Sequence, residues 1–159
     1  CVVRNPFARA VSEYKYVHAN PEFRFEHFDL IERHGCTSTG LNEWLSRVLI
    51  RFLSGSILQQ LCHLLPQSHY IWGPSKDRGD ECQYCHEILR VEQFPAAFDD
   101  LMLRYGYSVR LPDAPVNRGG CPGLSHEAIN STNVALIREV HRLDFGRLNY
   151  STELADTLL

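Results

Sequence analysis

The chain begins with Cys1-Val-Val-Arg-Asn-Pro-Phe-Ala-Arg-Ala-Val-Ser-Glu-Tyr-Lys-Tyr16, the stretch from which the fold is most readily read. Its first residues are apolar or small, as at the end of a buried strand, and they lead directly into Arg4. Asn5 and Pro6 are typical of a helix start, because Asn caps the first turn and Pro lacks an N–H that would be unpaired there. The apolar residues that follow recur at helical spacing. We therefore predict a strand, a cap and an amphipathic helix.

The polar face of this predicted helix carries Arg9, Ser12 and Tyr16. They lie within about one-fifth of a turn of each other, because each residue advances a helix by about 100°. The unpaired N–H groups and the dipole of a helix N-terminus favour a phosphate. The stretch therefore predicts an anion site.

Arg-Asn-Pro-Phe-x-Arg-x-x-Ser-x-Tyr, running from Arg4 to Tyr14, resembles a known motif. It is similar to the 3′-phosphate-binding motif of sulfotransferases that use the sulfate donor PAPS (3′-phosphoadenosine 5′-phosphosulfate), and most similar to the Golgi-type branch that acts on carbohydrates. The resemblance implies that Arg4 and Ser12 hold the 3′-phosphate and that Arg9 contributes more weakly. The implied activity is transfer of a sulfuryl group from PAPS to a hydroxyl acceptor, with a carbohydrate as the expected acceptor.

Later segments resemble the same family in the same order. They are His63-x-x-Pro66-Gln67, Arg90-Val-Glu92, Leu111-Pro…Asn117 and His141-Arg-Leu-Asp-Phe145, where relatives often carry Tyr-x-x-Asp-Phe. The implied fold is α/β, the P-loop-like sulfotransferase fold, here partial and helix-rich with a few short parallel strands. Residues 1–150 are then the C-terminal part of a catalytic domain, and residues 151–159 are a tail.

The family's 5′-phosphosulfate loop, and generally its catalytic base, lie upstream of the motif at Arg4. We therefore expect this chain alone to be inactive and its base to be unknown, with His63 as a candidate within the chain. Arg118, in a glycine-rich loop, is a weaker candidate for cofactor contact. No metal is expected.

The composition limits the partners. A net charge of −3 over 159 residues argues against a nucleic-acid binder. No apolar stretch approaches the ~20 residues that cross a bilayer, so membrane attachment would need an upstream anchor. Six cysteines and the glycosylation sequons at Asn130 and Asn149 favour the Golgi lumen or the secretory pathway, with the cytoplasm as the alternative.

The Cys82-x-x-Cys85 motif leaves three interpretations open. One is a zinc site that combines both cysteines with Cys62 and a histidine, and another is a thioredoxin-like redox pair. We favour a disulfide from Cys62 to Cys82 or Cys85, which would close a loop of about 20 residues. The rival function is a non-catalytic extracellular binding domain, held by disulfides or by a single zinc.

Outside the opening stretch, sequence patterns predict further elements. They are a short helix near 25–33, a helix over 41–53, a short strand over 69–72, a strand over 87–92, a helix from Pro95 that stops at Gly106, and a helix over about 133–143 capped by Ser131 or Thr132.

Overall fold

The structure is a computed structural model, and it describes residues 1–20, 34–55, 62–75, 80–112 and 120–154. The chain divides into two compact units. The first unit comprises Cys1–Arg4 and His69–Arg118, and the second comprises Asn5–Ser68 and Gly119–Leu159. No helix in the described ranges is long and apolar enough to cross a membrane.

The first unit contains a parallel pair of short strands, β1 (Val2–Val3) and β4 (Leu89–Arg90). The Leu89 N–H donates to the Cys1 carbonyl oxygen over 2.9 Å, which extends the pairing. Beyond β4 come a single 3₁₀ turn at Val91–Gln93 and the helix α4 (Ala96–Arg104). This helix ends at Arg104, and Gly106, two residues beyond it, has a positive φ of 77° that suits a residue without a Cβ.

The other strands of the first unit are β2 (Trp72–Pro74) and β3 (Glu81–Gln83), which pair antiparallel. The ring of Tyr84 lies over Gly73, and its hydroxyl donates to the Pro74 carbonyl oxygen over 2.8 Å. A Cβ on residue 73 would lie 2.5 Å from the Tyr84 oxygen, so glycine is required for this close approach.

The second unit is helical. It contains α1 (Pro6–Ala19), α2 (Ser38–Leu53), α5 (Ser131–Val140) and α6 (Arg142–Arg147), with 3₁₀ turns at Cys62–Leu64 and His126–Ala128. Its apolar core is drawn from all four helices and includes Phe7, Tyr14, Leu41, Trp44, Ile137 and Phe145. Phe7 packs on Phe145 with ring centroids 5.2 Å apart, and Tyr14 packs on Trp44 at 5.6 Å.

The expected helix-rich chain with a few short strands is confirmed at this coarse level. Asn5 caps α1, Pro6 is its first residue, and Gly106 follows the last turn of α4, as the sequence predicts. Of the two described strand pairs, β1–β4 is parallel as expected, whereas β2–β3 is antiparallel.

Several boundaries differ from the sequence predictions. The helix predicted over 41–53 begins earlier, at Ser38, and the helix predicted over about 133–143 ends at Val140. The predicted strand over 69–72 is instead a short helix, α3 (Ser68–Ile71), which leads into β2. The predicted strand over 87–92 is shortened to β4 because the chain then turns. Asn130, rather than Ser131 or Thr132, caps α5, since its side-chain oxygen accepts from the Asn133 N–H over 2.9 Å. The helix predicted near 25–33 lies outside the described residues.

Candidate functional site

The N-terminus of α1 is capped by the side chain of the preceding residue, Asn5. The side-chain oxygen of Asn5 accepts hydrogen bonds from the N–H groups of Phe7 and Ala8, over 2.9 and 3.5 Å. The Arg9 N–H already bonds the Asn5 carbonyl oxygen over 2.8 Å. The first-turn N–H groups that we expected to favour a phosphate are thus occupied, and an anion at this end must be held mainly by side chains.

The two residues predicted to hold the 3′-phosphate are both half-buried. Arg4 directly follows β1 and belongs to the first unit, while Ser12 lies on α1 in the second. The Ser12 hydroxyl has no hydrogen-bond partner among the residues that the structure describes. A half-buried, unbonded hydroxyl is suited to donate to a ligand oxygen. The contact of either residue with a phosphate stays a prediction.

The Arg9 side chain forms hydrogen bonds within the second unit. One terminal nitrogen of its guanidinium donates to the Leu65 carbonyl oxygen over 2.8 Å, and the other donates to the His63 carbonyl oxygen. Arginine suits this place because its planar fork can reach two acceptors at once. Arg9 therefore fastens the 63–65 turn to α1. Its predicted contact with the cofactor stays a prediction.

His63, the candidate base, lies beside the polar face of α1. Its Nδ1 is 3.8 Å from a carboxylate oxygen of Glu13, and its ring stacks on Tyr16 with centroids 6.2 Å apart. Burial raises the pKa of Glu13, while the nearby His63 and Arg9 oppose that shift. More than half of the His63 side chain is exposed. The distance is longer than a hydrogen bond, so the carboxylate acts on the imidazole through its charge.

A buried polar cluster is centred on Asp144, which is inaccessible to solvent. Its carboxylate accepts hydrogen bonds from the backbone N–H groups of Gln67 and Ser68, over 2.8 and 2.7 Å. The Nδ1 of the buried His141 lies 3.3 Å from the same carboxylate. Asp144 thus joins the Pro66-Gln67 segment to the His141–Phe145 segment, two segments that carry the family resemblance.

The electrostatics of this pair follow from its burial. Burial disfavours the charge on Asp144, but the hydrogen bonds from His141, Ser68 and Gln67 outweigh it and hold the pKa of Asp144 below its ordinary value. Burial lowers the pKa of His141, and its hydrogen bond to Asp144 offsets this only in part. Both shifts favour a neutral imidazole beside an ionised carboxylate at neutral pH, and the Nδ1 tautomer is the one that can donate to Asp144.

This cluster was missed as a unit by sequence reasoning. His141 was noted only as a departure from the Tyr of relatives, and Asp144 was given no role. The available signal was the joint occurrence of Pro66-Gln67 and Asp144-Phe145, but 76 residues separate Ser68 from Asp144, and sequence spacing does not predict so distant a contact.

The cysteine pairing corrects the sequence prediction. Cys1 is bonded to Cys85, Cys36 is bonded to Cys121, and Cys82 is in no disulfide. The predicted link from Cys62 to Cys82 or Cys85 is therefore wrong. The physical reason is strand pairing, because the parallel alignment of β1 with β4 brings Cys1 close to Cys85, with their Cα atoms 5.7 Å apart.

A polar cleft of about 610 Å³ lies along α2, lined by Ser38, Thr39, Asn42, Glu43, Ser46, Arg47 and Asn130. The buried Asn133 holds two of these residues in place: it donates to the carbonyl and side-chain oxygens of Asn42, over 2.8 and 2.9 Å, and accepts from Ser46.

Arg118 lies outside the described residues, so its predicted contact has no structural account.

Comparison with known proteins gives no relative. No protein-family model, no curated protein and no solved structure matches the chain.

Proposed function

We propose that this chain is part of a PAPS-dependent sulfotransferase of the Golgi carbohydrate type and contributes the contacts to the 3′-phosphate. The observation that carries the proposal is the strand–cap–helix arrangement of residues 1–19. Arg4 follows β1, Asn5 caps α1, Pro6 opens it, and the Ser12 hydroxyl is unbonded among the described residues. These residues are the ones whose types resemble the family motif.

Sulfuryl transfer requires groups that bind the cofactor and a base that takes a proton from the acceptor. A base takes the proton of the acceptor hydroxyl, the acceptor oxygen attacks sulfur in line, and adenosine 3′,5′-bisphosphate leaves with the electron pair of the broken S–O bond. Arg4 and Ser12 fix the cofactor by its 3′-phosphate. Arg9 acts indirectly, because its hydrogen bonds hold the turn that carries His63.

His63 remains the candidate base within the chain, with the Glu13 carboxylate as a neighbouring charge. In the full-length enzyme, His63→Ala should lower kcat by about 100-fold or more if His63 takes the proton. Glu13→Gln should lower kcat less and leave nucleotide affinity unchanged. An unchanged kcat in His63→Ala would assign the base elsewhere.

The acceptor side of the proposal is supported by the resemblance and by the polar cleft on α2. The hydroxyl groups of the exposed Ser38 and Thr39 match a hydroxyl-rich ligand. Thr39→Val removes one exposed hydroxyl at nearly constant volume. We expect this change to raise KM for the acceptor without altering nucleotide affinity, and no change in KM would remove the cleft from the proposal.

Calorimetry tests the central claim. The chain should bind adenosine 3′,5′-bisphosphate more tightly than AMP, which lacks the 3′-phosphate. Arg4→Ala should weaken bisphosphate binding by about 1.5–3 kcal/mol and Ser12→Ala by about 0.5–1.5 kcal/mol. Arg142→Ala and Ser131→Ala, exposed residues of the same types, are the matched controls. Equal affinity for the two nucleotides, or for wild type and a folded Arg4→Ala variant, would refute the assignment.

The rival function, a non-catalytic extracellular binding domain, is favoured by one observation. Two disulfides, each spanning more than 80 residues, are typical of secreted domains. The calorimetric comparison also decides here, because such a domain has no reason to prefer a 3′-phosphorylated nucleotide.

A further inference from the structure

A histidine lies against the Cys36–Cys121 disulfide. His18, on the last turn of α1, has its Nε2 3.5 Å and its Nδ1 3.8 Å from the Cys36 sulfur. The nearest ligand atoms of His18, Cys36 and Cys121 all lie within 4.8 Å of one another. Three side chains whose atoms commonly bind soft divalent metals thus meet at one point in the second unit.

The spacing of the sulfur and the imidazole nitrogen is compatible with a metal site. A tetrahedral zinc ion holds sulfur at about 2.3 Å and imidazole nitrogen at about 2.0–2.1 Å, which places those two ligand atoms about 3.5–3.6 Å apart. The distance from His18 Nε2 to the Cys36 sulfur is 3.5 Å. Binding one ion requires the two sulfur atoms of the disulfide to separate and the three ligand atoms, which lie within 4.8 Å of one another, to close around it.

Neighbouring residues hold these three side chains in place. Cys121 is buried, and its backbone has a positive φ of 65°. Cys36 precedes Thr37, the cap residue of α2, in a turn to which the Tyr14 hydroxyl donates at Gly35. Gly120 packs close to the imidazole, since a Cβ on residue 120 would lie 3.3 Å from His18 Nδ1. Cys36 is exposed, which gives a reductant and an ion access.

We propose that reduction of the Cys36–Cys121 disulfide converts this place into a binding site for a thiophilic divalent cation such as Zn²⁺, with His18, Cys36 and Cys121 as ligands. A phosphine reductant supplies two electrons and becomes a phosphine oxide, taking its oxygen from water, while the disulfide becomes two thiols. The cation then displaces the two thiol protons and binds two thiolates and the imidazole nitrogen. This leaves a fourth position open to water. The proposal is independent of the sulfotransferase assignment, since none of these residues belongs to the motif.

Co²⁺ is the probe for this site, because thiolate ligation gives it a charge-transfer absorption in the near ultraviolet. The oxidised chain should show no such band, and the phosphine-reduced chain should bind about one equivalent with the band. His18→Ala should weaken binding by about 100-fold or more, since losing even an indirect supporting partner of a metal costs 10–100-fold. Cys36→Ser together with Cys121→Ser should remove the band, because both thiolates are then lost.

The matched controls come from the second group of cysteines and histidine in the chain, Cys82-Gln-Tyr-Cys85-His86. Cys82→Ser and His86→Ala should leave Co²⁺ affinity unchanged. A band that disappears in these variants but persists in His18→Ala would overturn the proposal, as would the lack of any band after reduction. Circular dichroism monitors the fold throughout. Loss of structure on reduction that Co²⁺ or Zn²⁺ does not reverse would also count against the site.

Discussion

The carboxylate of Asp144 accepts a hydrogen bond of 2.7 Å from the backbone N–H of Ser68, which lies 76 residues earlier in the chain. Together with the bond from the Gln67 N–H, this contact gives the start of the short helix α3 the acceptor that a capping side chain normally supplies. The sequence pattern predicted a strand over 69–72, whereas the structure has a helix there. The Asp144 carboxylate therefore supplies hydrogen-bond acceptors at the start of a helix that the local sequence did not predict.

Asp144→Ala should lower the free energy of unfolding by about 3–5 kcal/mol, because it leaves the buried N–H groups of Gln67, Ser68 and His141 without an acceptor. Asp144→Asn keeps one acceptor oxygen and should cost less, about 1–3 kcal/mol. Urea unfolding measures both. The control is Glu153→Ala, which removes only an exposed ion pair with Arg138 and should change stability by less than about 1 kcal/mol. A near-neutral Asp144→Ala would contradict the structural role of the carboxylate.

The stability should fall as the pH is lowered below the ordinary His value of 6.5. Because burial lowers the pKa of His141 in the folded chain, the unfolded chain takes up this proton at higher pH, so the contribution of His141 is full above 6.5 and is lost below it. Asp144 has the same sign but acts only below its ordinary value of 3.8. Glu13 contributes with the opposite sign. Because burial raises its pKa in the folded chain, its contribution to stability is lost as the pH rises above its ordinary value of 4.5.

A variant isolates the part due to His141. The urea midpoint of the wild type should fall between pH 7.5 and pH 5.5 by more than that of His141→Gln, which cannot take up the proton. His86→Gln, at an exposed position, should keep the slope of the wild type. Identical slopes in wild type and His141→Gln would show that His141 does not titrate on unfolding.

Arg9→Met should lower the free energy of unfolding by about 1.5–3 kcal/mol, since it removes two charge-assisted hydrogen bonds to the carbonyl oxygens of His63 and Leu65 while keeping much of the apolar stem. Arg9→Lys should recover only part of the loss, because an ammonium group lacks the fork that reaches both oxygens. Arg142→Met, on the surface of α6, is the control. Full recovery by lysine would show that charge alone, and not the paired geometry, is what Arg9 contributes.

Peptide mapping without reductant should recover Cys1 linked to Cys85 and Cys36 linked to Cys121, with Cys82 open to alkylation. Removing the second bridge by Cys36→Ala and Cys121→Ala should cost about 2–5 kcal/mol, because the bridge closes a long loop in the unfolded chain. Cys82→Ser, by comparison, breaks no bridge and should have little effect. Recovery of a peptide that links Cys62 to Cys82 would restore the original sequence prediction.

The sequence by itself determined the elements whose causes lie within a few residues. Asn5 and Pro6 define the start of α1 through a cap and a missing N–H, and Gly106 ends α4 through its positive φ. The apolar stripe of α2 was likewise readable, because helical periodicity is a property of neighbouring turns. Near a capped end the same reasoning is less exact. At the start of α5, three consecutive residues can each cap a helix, and Asn130 does so.

The tertiary structure alone decided which distant residues meet. The bridges join cysteines 84 and 85 positions apart, and Asp144 and Arg9 each bind a loop more than 50 residues away. The sequence analysis predicted a disulfide between cysteines about 20 residues apart, because sequence spacing indicates only pairings that close short loops. Such contacts depend on the path of the chain through its core, where strand pairing and helix packing overcome the entropy of closing long loops, and that cost rises only slowly with loop length.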